Sequence, residues 1–553
     1  MPSHENPFYE LPSWQRKMFV LFRSLRAPWY ISDWKDAWQY RVIPATVLIF
    51  CTNVFPGIAF SLDLIETTAQ YDVAKVLLSS FMAAFIFSIF GAQPLTIAGI
   101  TGKAICPITV FNKIIFDILK GQNDPPDYLH FVGWVYLWAA MIHWMTAIFG
   151  WCSFLKYMTL FSCDTRNAAI HLNSLPNTSG AFLGIILAIL MLVTSFNFQS
   201  LSQMTFFHRH VRRFLADYSV PMSLVASSAI VYWGTFNVAD FNILTMSPAS
   251  KPATDREWLV RFWKLEAKWV GIALPFGIML WILFHLNHNI SSLMAQSDFP
   301  LRKPSGFHWD FFLLGLTTFL SGLLGLPAPN SLTPQAPIHM KSFLVMGYPL
   351  KRDDKEDATI KSRTQTPLLF ADSMSTGKWL QLSSDEASYE VPVSVIEKRV
   401  SNLAQGFLCL VLLTRPFLHV LNLVPRGVIA GLFWYMGAEA LLSNRITQRI
   451  IYFLRDEELT PGHEPLKRVR SSRILFFLAI QLASIGATFA ITRTFAAIGF
   501  PVMIALLVIL RVFLIPRLPF TPEELVILDQ SIASPLVSFF VFVLLTSIHS
   551  NCM

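Results

Sequence analysis

Apolar runs of roughly 18 residues or more, enough for a helix to cross the hydrocarbon core of a bilayer, recur along most of this chain. They lie near 41–62, 73–92, 128–152, 180–198, 217–236, 268–290, 309–326, 400–424, 426–444, 474–491 and 494–515. Three further segments have similar length but a flawed pattern. Two, 93–115 and 327–346, are broken by Pro, Gly and amides, and 153–173 is weakly apolar. Together they predict an all-α polytopic membrane protein of fourteen spans, seven plus seven about a linker at 238–267.

The two broken segments carry the most information. The first reads GAQPLTIAGITG, Gly91 to Gly102, and the second GLLGLPAPNSLTPQAPIHMKS, Gly322 to Ser342. A bare backbone N–H or C=O in lipid costs several kcal/mol, so irregular backbone survives at membrane depth only where it is buried or lines a cavity. One such break is explained as readily by a kinked, well-packed span. Two in corresponding places point to the binding site of a secondary transporter built from inverted repeats. Each is predicted to be an extended stretch followed by a half-helix, whose N-terminus offers unpaired N–H groups and about half a positive charge to an anion. Candidate lining residues are Gln93, Thr96, Thr101 and Gly102 in the first segment, and Asn330, Thr333, Gln335, His339 and Ser342 in the second. Gln335, His339 and Ser342 stand at i, i+4 and i+7, on one helical face. A lone buried His is more often structural than a ligand; its place after Pro-Gln-Ala-Pro favours lining for His339.

Charge then fixes the orientation. Basic residues cluster after the even-numbered spans: Arg209, Arg212 and Arg213, then Arg302 and Lys303, then Lys351 to Arg363, then Arg445 to Arg473. The positive-inside rule places these loops, and the N-terminus, in the cytosol. The same rule requires 153–173 to cross despite Asp164, Arg166, Asn167 and His171. Segment 347–392, with KRDDKED and Ser/Thr clusters, reads as a cytosolic loop. The stretch WQRKMFVLFRSLRAPWY reads as an amphipathic helix, either on the inner leaflet or packed on the domain. Asp63, at the end of the first span, either faces the site or caps the outer end.

Composition narrows the function classes. The 553 residues are 54% hydrophobic and 14% charged, against about 25% charged in soluble domains. The net charge of +8 sits in short loops, so the partner is the lipid bilayer and not nucleic acid. Six scattered Cys without a Cys-x-x-Cys pair argue against a disulfide framework or zinc site. No phosphate-binding or dinucleotide fingerprint and no paired catalytic acids occur, so neither an enzyme nor a cofactor is indicated.

The strings GAQPLTIAGITG, PITVFNK, FHLNHNISSLMAQ, PAPNSLTPQAPIHMKS, RVSNLAQG and LVPRGVIAGLFWYMGAEAL resemble the anion exchanger and bicarbonate transporter family, nearest its borate exporter branch in the fungal form. The resemblance implies a homodimer at the plasma membrane, with the vacuolar membrane as alternative. It implies a moving core from 41–152 (spans 1–4) and 268–425 (spans 8–11), and a gate from 153–237 (spans 5–7) and 426–515 (spans 12–14). Segments 1–40 and 516–553 would be an N-terminal cytosolic piece and a C-terminal tail. Substrate, a borate or related inorganic anion, would bind between half-helices 3 and 10 and be exported by alternating access. The rivals are bicarbonate or another inorganic anion, and a membrane homologue that no longer transports.

Three departures from the family pattern bear on those rivals. Asn287 stands where the borate branch usually has an acidic residue, and Asn cannot titrate. Lys103 to Cys106 are inserted ahead of Pro107, about one helical turn; Lys103 would either add charge at the site or be displaced from it. After Cys163-Asp164-Thr165 the chain runs into a polar RNAAIHLNSLPNTS in place of a long aromatic span.

Overall fold

A computed structural model describes residues 29–92, 97–99, 108–152, 182–201, 204, 208–233, 257–297, 306–332, 335–347, 391–396, 398–456, 465–492 and 500–529. In chain order the first half contains α1 (Tyr30–Lys35), α2 (Val42–Thr68), α3 (Val73–Phe90), β1 (Ala98–Gly99), α4 (Ile108–Lys120), α5 (Tyr128–Ile148), α6 (Phe182–Ser200), α7 (Arg209–Asp217) and α8 (Ser219–Ile230). The second half contains α9 (Ala267–Ser297), α10 (Phe307–Leu324), β2 (Asn330–Ser331), α11 (Gln335–Ser342), β3 (Leu344–Gly347), β4 (Val391–Val395), α12 (Arg399–Leu412) and α13 (Arg415–Asn422). It closes with α14 (Arg426–Ser443), α15 (Arg445–Leu454), α16 (Ser471–Thr492), α17 (Phe500–Phe513) and α18 (Pro522–Leu528). The order helix, helix, short strand, half-helix thus occurs in both halves, followed directly by α5 in the first and by β3, β4 and α12 in the second.

Local chemistry sets the helix ends. The Asp72 carboxylate accepts the Lys75 N–H at 2.8 Å and starts α3, and Asp127 accepts the His130 N–H at 3.0 Å to start α5. Gly325, at φ +63°, closes α10 in the left-handed conformation that glycine adopts without strain.

Two hydrophobic clusters hold most of the described helices. One joins α3, α4, α5, α9 and α10 around Phe87, Phe131, Phe284 and Phe311. A second joins α2, α6, α8 and α14 around Phe55, Met191, Leu224 and Leu432, and includes Val73 and Leu77 of α3 and Cys409 of α12. Small residues allow the closest approaches, as is usual between membrane helices. A Cβ on Gly431 of α14 would lie 2.6 Å from the Ala188 carbonyl oxygen of α6, and one on Gly406 of α12 would lie 2.7 Å from the Ala84 side chain of α3.

A buried ion pair ties the chain's first described helix to the bundle. Arg399, at the start of α12, donates to Asp33 of α1 at 2.7 Å, with both side chains essentially inaccessible. The same guanidinium donates to the carbonyls of Ser88, Gly91 and Ala92 at 2.9, 2.8 and 3.0 Å, and it stacks over Tyr30. Asp310 of α10 accepts the Ala92 N–H at 2.7 Å. The C-terminal end of α3, where the first broken segment begins, is therefore gripped from three sides.

The structure modifies several expectations. Among the described residues five helices are long and apolar enough to cross a membrane alone, and six if α12 and α13 form one bent span. Shorter apolar helices stand at Val42–Ile58, Gly184–Ser200, Ser219–Ile230 and Gly427–Leu442 among the described residues. The run 400–424 is not one straight span. It bends by 94° between α12 and α13, where Pro416 sits in the first turn of α13 and supplies no N–H to continue the ladder. The ends of the predicted loop 347–392 pair with their neighbours: β3 and β4 run antiparallel, Leu344 opposite Val395 and Gly347 opposite Val391. The fifth span at 153–173, the amphipathic N-terminal segment, most of the 238–267 linker and the chain beyond 529 lie outside the described residues.

Two outcomes test this packing. Arg399→Met strands the Asp33 carboxylate and three backbone carbonyls, and is expected to destabilise the protein by about 3–5 kcal/mol. Gly431→Val forces α6 and α14 apart and is expected to cost about 1–3 kcal/mol. Both are read as lowered thermal-unfolding midpoints of the purified protein in detergent.

Candidate functional site between the two broken segments

The two broken segments meet. β1 and β2 pair antiparallel, Ala98 opposite Ser331 and Gly99 opposite Asn330, and the Leu332 N–H extends the pairing to the Ile97 carbonyl at 2.9 Å. The remaining backbone of the second segment is satisfied from the spans around it. Ser79 of α3 donates to the Pro327 carbonyl at 2.7 Å, and the Tyr136 hydroxyl of α5 accepts the Ala328 N–H at 3.4 Å. Ser291 of α9 donates to the Leu332 carbonyl at 3.4 Å. Tyr136 also accepts from the Asn112 amide of half-helix α4 at 3.0 Å, so one hydroxyl touches both broken segments.

α2 supplies the next layer. Pro56 lies inside α2 and has no N–H to give the carbonyl four residues back. That carbonyl is Thr52, and it accepts instead from the Gln335 side-chain amide at 3.1 Å. A proline in one helix thus creates the acceptor that fixes the first residue of half-helix α11. One residue further, Asn53 donates to Gln405 of α12 at 3.1 Å, and Gln405 donates to Asn402 at 3.2 Å. Gly99 is required at the crossing because a Cβ there would lie 2.3 Å from the Asn53 amide oxygen. His339 Nε2 contacts the Ser401 hydroxyl of α12 at 3.1 Å.

Several polar atoms around this crossing are buried with no hydrogen-bond partner in the protein: Asn53 Oδ1, both amide atoms of Asn287, Ser331 Oγ, Gln335 Oε1, His339 Nδ1 and Asn402 Nδ2. Buried polar groups are nearly always satisfied, so these atoms are the natural partners of a small polar ligand or of water. They are amide, hydroxyl and imidazole groups, able both to donate and to accept.

Of the predicted lining residues, the structure brings together Asn330, Gln335 and His339, all fully buried, with Asn287. Asn287 shares a face of α9 with Ser291, four residues on, which reaches the crossing. Ser342 is the last residue of the same half-helix, and its hydroxyl donates to the His339 carbonyl at 2.8 Å. Gln93, Thr96, Thr101, Gly102, Lys103 and Thr333, and the side chain of Asp63, lie outside the described residues. Thr52, Asn53, Asn402 and Gln405 escaped the sequence reading as site residues. Their only signal was amides recurring within otherwise apolar runs, including the string RVSNLAQG.

The described His, Cys, Asp and Glu residues form no group that would hold a metal ion. Cys51, Cys152 and Cys409 are free thiols.

Comparison with known proteins places this architecture. The family model described as the HCO3- transporter integral membrane domain matches residues 22–172, 162–361 and 379–533. The chain is 38% identical over 526 residues to a fission-yeast (Schizosaccharomyces pombe) putative transporter, covering 92% of this chain and 94% of that protein. It is 35% identical over 533 residues to Boron transporter 1 of Saccharomyces cerevisiae, covering 92% and 84%. It is 26% identical over 569 residues to a probable boron transporter of Arabidopsis thaliana, covering 88% and 77%. The protein is a multi-pass membrane transporter and not an enzyme: it belongs to the family of the HCO3- transporter integral membrane domain.

Proposed function

We propose that this protein exports borate across the membrane as a secondary active transporter working by alternating access. The observation that carries the reading is the β1–β2 crossing ringed by unpartnered amide and hydroxyl atoms. Tetrahydroxyborate presents four hydroxyls that each donate and accept, around a single negative charge. Amide and hydroxyl partners suit the hydroxyls, and half-helix N-termini suit the charge without a fixed cation. The yeast and plant relatives named as boron transporters support this substrate.

The finer architecture belongs to the same proposal: fourteen spans as two inverted repeats, a core of spans 1–4 and 8–11, and a gate of spans 5–7 and 12–14. The first hydrophobic cluster, in α3–α5 with α9–α10, falls within the proposed core, and the second joins the gate helices α6, α8 and α14 to α2, α3 and α12 of the core. A homodimer in the plasma membrane with a cytosolic N-terminus completes it. Gln93, Thr96, Thr101, Gly102, Asn287, Asn330, Thr333, Gln335, His339 and Ser342 are proposed to face the substrate. A second reading, transport of bicarbonate or another inorganic anion, is favoured by the family's own description.

Asn287 bears on a third outcome, a homologue that no longer transports. It is fully buried beside the crossing, where an acid would be expensive and would normally carry charge coupling. Neutral Asn287 removes that titration and leaves binding possible.

The test is cellular boron after a boric acid load, with the chain expressed at a verified surface level in cells lacking their own exporter. Boron below the vector control is expected. Boron equal to control at normal surface expression sinks the borate reading, and bicarbonate exchange in the same cells then decides between another anion and an inactive homologue. Asn287→Asp is expected to introduce a pH dependence of export absent from the parent. Pro56→Ala restores an N–H for Thr52, releases Gln335, and is expected to hold or raise thermal stability while weakening export about 2- to 10-fold, as for one lost hydrogen bond.

A further inference from the structure

Two side-chain contacts join half-helix α11 to α14. At its start the Gln335 amide reaches Met436 Sδ at 3.9 Å. At its other end Lys341 Nζ lies 3.6 Å from a carboxylate oxygen of Glu439. Met436 and Glu439 are three residues apart and so neighbours on one face of α14. The two helices have different apolar neighbours, and α2 borders both. Ala336 and Met340 of α11 pack on Ala295 of α9, whereas Met436 belongs to a cluster that joins α6 and α8 to α2, α3 and α12. The Lys341–Glu439 pair is thus a polar tie across the seam between these two sets of neighbours.

The tie is asymmetric. The Glu439 side chain is 16% exposed and the Lys341 side chain 66%. Gln199 of α6 donates to the same carboxylate at 3.4 Å, and the Tyr435 hydroxyl donates to Gln199 in turn at 3.3 Å. The second carboxylate oxygen, Oε2, is buried with no hydrogen-bond partner in the protein. The acid is therefore the fixed half, built into α14 and α6, and the lysine is the half that can leave for water. A half-buried carboxylate with one buried oxygen is costly to keep, and nothing in the binding site proposed above uses it.

We propose that Glu439 is a positioning residue for transport: its pair with Lys341 holds half-helix α11 against α14 in the arrangement seen here, and the pair opens when the protein turns its site to the other face. This rests on the alternating-access reading of the same chain. It assigns a charge-based link to that seam, whereas the site itself carries the neutral Asn287. Because one partner is well exposed, the pair biases the two arrangements by no more than about fivefold, which suits a contact that must break in every cycle.

The test is hydrogen–deuterium exchange of the full chain in lipid nanodiscs, comparing the parent, Glu439→Gln, Lys341→Gln and the charge-exchanged Lys341→Glu/Glu439→Lys. Loss of the pair is expected to raise exchange over residues 335–347 by about 2- to 5-fold and to lower it over residues 69–75, at the opposite end of the bundle. The charge-exchanged protein is expected to return both toward the parent. A rise confined to 335–347, a rise at both ends, or no return in the exchanged pair overturns the proposal, since each is what mere local loosening would give. Should Glu439→Gln fail to fold, Lys341→Gln, at an exposed position, gives the same readout. Boron export by the same parent preparation separates the two claims. Reciprocal exchange without export refutes the borate reading and leaves the link standing; export without reciprocal exchange refutes the link.

Discussion

The rest of the structure depends on one requirement: backbone freed from a helix at membrane depth must find hydrogen bonds elsewhere. The two broken segments meet it by pairing with each other, Ala98 opposite Ser331 and Gly99 opposite Asn330. Each break is thereby the solution to the other. This pairing forces the two halves of the chain together at their middles, whatever the linker between them does. Side chains complete the account: Ser79, Tyr136 and Ser291 serve Pro327, Ala328 and Leu332. These three lie on α3, α5 and α9, so the strands in turn fix where those helices stand. A polar requirement of a few residues orders an otherwise apolar bundle, in which apolar contacts alone would discriminate poorly between arrangements in lipid.

The same logic explains why polar residues accumulate there. Pro56 opens the Thr52 carbonyl, and Gln335 fills it. Gly99 lets β1 approach Asn53, and Asn53 is held by Gln405. Satisfying the breaks uses one end of each amide and leaves the other end buried and open, as at Asn53 Oδ1, Gln335 Oε1 and Asn402 Nδ2. Structural bonds that hold one end of these three amides and present the other supply the preorganisation that the proposed binding of a small hydroxyl-bearing ligand needs. Structure and binding share the same residues, which is why Pro56 matters to both although its own side chain is apolar.

The breaks themselves were legible in the sequence because Pro, Gly and amides stand out against Leu, Ile and Phe. So were Asn330, Gln335 and His339, which lie inside the second break. The partners were not. Asn53 and Gln405 sit in regular helices, where a single amide among apolar residues reads equally as a packed interior group. What reveals them is their 3.1 Å contact across 352 positions of chain, and no local pattern carries that. The bend between α12 and α13 had its signal in Thr414-Arg415-Pro416, but the apolar run continues through it, and length was the stronger cue. Ser342 fits the face of an ideal helix with Gln335 and His339, and as the last residue of the half-helix it donates its hydroxyl to the His339 carbonyl.

The distribution of charge follows from these constraints. Among the described residues at the crossing the partners are neutral, and Asn287 keeps the α9 position neutral as well. The formal charges stand at the helix ends instead: Arg399 with Asp33 where α3 gives way to the first break, and Lys341 with Glu439 where half-helix α11 ends. The two pairs differ in the way their positions require. Arg399 and Asp33 are both buried and are joined to three backbone carbonyls, so removing either leaves an uncompensated buried charge, and the contact is permanent. The Lys341 side chain is 66% exposed, so its pair with Glu439 is the weaker of the two and opens at small cost. An anion held at a neutral site by dipoles and hydrogen bonds is released more readily than one held by a buried cation, because no bare charge is left behind when it goes. Fixed charge that anchors the frame, exchangeable charge at the seam and neutral groups at the site form a consistent division of labour for a protein that must bind its ligand and let it go.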